Sequence, residues 1–108
     1  MGHITSRTEQ LIHKYFAANA NELIISLLCD EAGNNLPFHK NSTPLDLERI
    51  HFAILKLSSG KLDRLKSAIE LAKSDWRDLL VAAGFENDLN AHSVWAENAL
   101  NSEHDSVL

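Results

Sequence analysis

Cys29 is the only cysteine among the 108 residues, so the chain forms no internal disulfide. The disulfide-stapled class of small secreted domains is thereby excluded. Cys29 closes the apolar run Leu23-Ile24-Ile25-Ser26-Leu27-Leu28 and is followed by Asp30 and Glu31. A thiol is activated by nearby positive charge, which these neighbours do not supply. The expectation is an inert, buried thiol in a reducing, cytoplasmic compartment. Long hydrophobic runs are also missing. None approaches the about 18–20 consecutive apolar residues that span a bilayer, and the N-terminal residues lack the apolar core of a secretory leader. No membrane partner is expected. Gly2 with Ser6 does fit the N-myristoylation pattern, which is short enough to arise by chance. The four glycines are scattered, so no phosphate-cradling loop is present, and G-x-S-x-G does not occur.

Basic residues are absent from one whole region. Residues 1–77 hold all ten Lys and Arg against nine acids, whereas 78–108 hold six acids (Asp78, Glu86, Asp88, Glu97, Glu103 and Asp105) and neither Lys nor Arg. The C-terminal part is thus an acidic lobe within a chain of net charge −5. Such a field repels phosphates and attracts basic partners. The best candidate for a basic track, Lys56, Lys61, Arg64, Lys66, Lys73 and Arg77, is interleaved with Asp63, Glu70, Asp75 and Asp78. That mixture suits ion pairing along a helix rather than a line of phosphate contacts. No nucleic-acid partner is expected.

What the sequence does contain is helical punctuation. Ser6-Arg7-Thr8-Glu9 has the form of a capping box, followed by Leu11, Ile12, Tyr15 and Phe16 at helical spacing. Asn19-Ala20-Asn21 interrupts that face. A break is expected there, with Asn19 or Asn21 capping a second helix through Leu28; the alternative is one helix over 8–28. Residues 33–42, with Gly33 and Pro37, read as a loop. Thr43-Pro44 starts a third helix, Thr as cap and Pro at its first position, which runs to about Leu57 and stops at Ser58-Ser59-Gly60. Leu62, Leu65, Ile69, Ala72, Trp76, Leu79 and Ala83 then keep an alternating three-and-four spacing. Ser74-Asp75 inside this stretch resembles a new cap, but the seam keeps phase across it, so one helix over 61–83 is expected as the spine. Gly84 and Phe85 fit a left-handed stop with an apolar contact back onto Leu80. A last helix is expected from Asn90 to Leu100, anchored by Val94 and Trp95.

These readings give a single all-α domain over residues 1–100, a bundle of about five helices, with a frayed tail at 101–108. The expected core includes Leu62, Leu65, Ile69, Trp76, Leu79, Ile50, Ile54, Phe16 and Leu27.

One surface stands out. Helix 44–57 carries a stripe of Leu47, Ile50, Ile54 and Leu57, yet Leu45, Phe52 and Leu55 fall on its far side at about 100° per residue. Either the helix is central and covered on both faces, or Leu45, Phe52 and Leu55 form an interface, a homodimer being the commonest kind. Phe52 would be its anchor. Metal chemistry has a fainter signal. Glu48 and His51 form an E-x-x-H pair, and Glu9 and His13 stand one turn apart, but carboxylate-bridged bundle sites need two such motifs and further carboxylates. Glu48, His51 and His13 are therefore half a site, and no cofactor is implied. The expected function is a non-catalytic protein–protein interaction module, self-associating through helix 44–57. The alternatives are a small metal-binding or catalytic protein built on His51 and Glu48, and an acidic inhibitor of a basic protein partner.

Overall fold

A computed structural model of the chain describes residues 4–32, 44–85 and 90–101. They form five α-helices: α1 (Ser6–Tyr15), α2 (Ala18–Glu31), α3 (Pro44–Ser58), α4 (Leu62–Ala83) and α5 (Ala91–Asn101). No strand occurs among them. The expected loop over 33–42 and the Thr43 cap lie outside the described residues, as does the expected tail from 102 onward; Asn101 itself belongs to α5.

The start of α1 is one residue earlier than the capping box suggests. Thr5, not Ser6, takes the extended cap conformation, and its Oγ1 accepts the Thr8 N–H at 3.2 Å. Glu9 does not reach back to the cap; it faces His13 one turn on, at 3.5 Å. The break between α1 and α2 is present but falls at Phe16 and Ala17, both extended, rather than at Asn19–Asn21. Asn19 is exposed, while Asn21 is buried and its side-chain amide donates to Nδ1 of His13. Asn21 thereby ties α2 to α1.

α3 begins at Pro44 as expected and ends in a tight turn. The Ser58 hydroxyl donates to the Leu55 carbonyl at 2.7 Å and accepts the Gly60 N–H at 3.2 Å. Ser59 and Gly60 both have positive φ, 52° and 78°. A Cβ on Gly60 would stand 3.0 Å from the Tyr15 carbonyl oxygen, so this turn needs glycine for its backbone angle and for room. The turn folds α4 back along α3, and these two helices share the most extensive packing in the molecule.

The expectation of an unbroken helix over 61–83 requires one correction. Asp75 is non-helical (φ −158°, ψ 87°), and its carboxylate accepts the N–H groups of Arg77 and Asp78, both at 3.2 Å. Asp75 caps the second half of α4, which is the role its sequence context suggested. The seam survives the kink: Leu65, Ile69, Ala72, Leu79 and Ala83 are buried, with Leu62 and Trp76 packed against them. Gly84 then adopts the left-handed conformation (φ 81°), and the Phe85 N–H returns to the Leu80 carbonyl at 2.9 Å. Phe85 is itself buried, completing the expected stop.

α5 is anchored differently from expectation. Val94 is 54% exposed, whereas His92, Ala96 and Ala99 form the buried stripe. Val94 lies two positions from both His92 and Ala96, about 200° around the helix, so it faces away from their contact. Trp95 does anchor, stacked on Tyr15 at 6.3 Å between centroids and meeting Phe52 and Phe85 at 6.0 Å each. Of the expected core, Ile50, Ile54, Leu65, Ile69 and Leu79 are buried, and Phe16, Leu27, Leu62 and Trp76 pack at its edge.

α3 packs against α1, α4 and α5, and α2 packs against α1 and α4. Every residue from Ile50 to Leu55 is buried, His51 included. The second apolar face of α3 is thus covered from within. Phe52 is 0% and Leu55 1% exposed, the Phe52 ring lying against His92 and Trp95 of α5 under the Arg7 guanidinium of α1. This corrects the expected interface, since neither side chain reaches the surface. The Leu45 side chain lies outside the described residues.

Candidate functional site: the polar side chains of the central helix

The polar residues of α3 are the best candidates for chemistry, and the structure divides Glu48, Arg49, His51 and Lys56 among three neighbourhoods: α1 with α5, the end of α2, and the end of α4. Glu48 is buried and points to the start of α1. One carboxylate oxygen accepts the Thr5 hydroxyl at 2.6 Å, and the other accepts the Arg7 guanidinium at 2.7 Å. Arg7 also donates to the Ser93 hydroxyl of α5 at 3.2 Å, and Nε2 of His92 stands 3.8 Å from the same Glu48 oxygen. Thr5, Arg7, Glu48, His92 and Ser93 therefore make one polar cluster joining three helices. A carboxylate this far from water needs its cation: removing the partner of a buried pair typically costs about 3–5 kcal/mol.

His51, one turn along, belongs to another neighbourhood. It is 1% exposed, and its Nε2 lies 2.9 Å from the Ala32 carbonyl at the end of α2, to which it donates. Burial pushes its pKa below the ordinary 6.5, against weaker opposing hydrogen bonds to the α2 carbonyls and the charge of Glu48. A neutral imidazole that spends its N–H on a helix-end carbonyl is a cap. Lys56 does the same at the end of α4, and Arg49 reaches the carbonyl just beyond it. Arg49 donates to the Phe85 carbonyl, and Lys56 donates to the Ala83 carbonyl at 2.7 Å while standing 5.1 Å from the centre of the Phe85 ring. Donors placed on the last carbonyls of a helix satisfy groups that have no partner inside it.

The three metal candidates are consequently dispersed. Glu48 faces α1, His51 faces the end of α2, and His13 is on the outer part of α1 between Glu9 and Asn21. Among the described residues no three His, Cys, Asp or Glu side chains converge on one point. Cys29 is half-buried, and burial followed by the Asp30 charge raises its pKa, so the thiol is not activated.

Several residues of the candidate basic track have individual partners. Lys56 is held as above, Lys73 bridges Glu31 at 2.8 Å and Glu70 at 3.2 Å, and the Arg77 guanidinium lies over the Trp76 ring. The hydrogen bonds to Glu31 and Glu70 raise the Lys73 pKa. No described helix is long and apolar enough to cross a membrane. In the acidic region, Asp78 and Glu97 are exposed, and neither enters an ion pair among the described residues.

The roles of Thr5, Arg7, Arg49, Lys56 and His92 escaped the sequence reading. Apart from the local cap of Thr5 on Thr8, their partners lie from 27 to 86 positions away, as with Lys56 and Ala83 or Arg7 and Ser93, and no local spacing encodes them. No protein-family model matches the chain, and no curated protein or solved structure is detectably similar to it.

Proposed function

We propose that the chain is a non-catalytic protein-interaction module whose working surface is its acidic C-terminal lobe, and that it acts as an inhibitor or mask of a basic protein partner. The observation that carries this reading is the charge partition: six acids and no Lys or Arg over residues 78–108, with Asp78 and Glu97 exposed. The segment is one-signed in sequence, while in space Arg7, Arg49 and Lys56 reach it at Ser93, Phe85 and Ala83; the exposed Asp78 and Glu97 are the charges through which it would speed encounter with a basic protein. The polar groups of α3 support the non-catalytic part, since Glu48, Arg49, His51 and Lys56 are each engaged with a neighbouring element. Self-association through helix 44–57 is the weaker form of the module, because Phe52 and Leu55 are covered within one chain. A catalytic or metal role for Glu48, His51 and His13 is weaker again, given their separate partners. The free thiol Cys29 suits work in the reducing cytoplasm.

The test uses two immobilised baits, the wild-type chain and the D78K/E97K variant, with circular dichroism to verify that both are folded. The wild type should retain proteins of basic isoelectric point that are lost from the variant, and lost also in about 0.5 M salt, where screening extends over only a few ångströms. Identical captured sets from the two baits would remove the acidic lobe as the working surface.

A further inference from the structure

We draw no further inference here: the strongest candidate, the shallow groove between α2 and α4 lined by Leu27, Ile69, Glu31, Lys66 and Glu70, is an apolar face for which nothing in the structure shows what covers it.

Discussion

Phe52 and His51 are adjacent in sequence and buried for different reasons. Phe52 fills the space among α1, α3 and α5, with its ring 5.6 Å from His92, 6.0 Å from Trp95 and 5.4 Å from the Arg7 guanidinium. Truncating a fully buried phenylalanine typically costs about 3–5 kcal/mol, and Phe52→Ala should lower the unfolding free energy by that much in urea titrations. A loss under about 1 kcal/mol would contradict its place in the core. His51 is buried as a hydrogen-bond donor, and its pH dependence has a definite sign. Its folded pKa lies below the ordinary 6.5, so the unfolded chain takes up the proton first on acidification. The contribution of His51 to stability is complete above the unfolded pKa and falls as pH drops through it toward the folded value. The slope is at most about 1.4 kcal/mol per pH unit for one proton. The urea midpoint of the wild type should therefore fall between about pH 7 and about pH 5 more steeply than that of His51→Gln. Parallel profiles would show that the imidazole is already solvated in the folded chain.

The ends of the elements explain what could be read in advance and what could not. Pro44, the Ser58–Gly60 stop and the Gly84–Phe85 stop were legible because each depends on the backbone preference of the residues at the spot. The seam of α4 was legible because its period is a property of the helix alone. The kink at Asp75 was signalled by the same local chemistry, but an in-phase seam on both sides outweighed it; a side-chain cap can interrupt the backbone without moving the buried stripe. The covering of α3 was not legible, because an apolar second face looks the same whether α1 and α5 lie on it or another molecule does. The caps supplied by His51 and Lys56, and the bond of Arg49 just beyond α4, were hidden for the same reason. Gly60 and Gly84, the two positive-φ glycines among the described residues, offer a comparison of local with distant constraint. Both incur the cost of a left-handed alanine when substituted, about 1–2 kcal/mol. Only at Gly60 does the new Cβ also meet backbone, 3.0 Å from the Tyr15 oxygen; at Gly84 its nearest neighbour is the flexible Lys56 ammonium at 3.8 Å. Gly60→Ala should therefore lower the thermal midpoint more than Gly84→Ala. Equal shifts would mean that α1 and the α3–α4 turn are not in contact.

Across the whole molecule, the most distant parts of the described sequence are brought together on α3. Arg7 reaches Ser93 over 86 positions, and Tyr15 stacks on Trp95. α3 and α4, by contrast, are joined by a short turn and pack along their lengths. Contacts between neighbours in the chain close small loops, whereas the seating of α1 against α5 closes a loop of nearly the whole chain, with a larger entropic cost before any burial repays it. On that ground the α1–α5 seam should form late and open early. Native-state hydrogen exchange should find the amides of α5 escaping through a partial opening, at a free energy below that needed to expose Ile50–Leu55 of α3. Equal protection of α5 and α3 would mean that the fold opens only as a unit. One buried carboxylate in the middle of the chain thus holds both of its described ends: Thr5 and Arg7 directly, and Ser93 through Arg7.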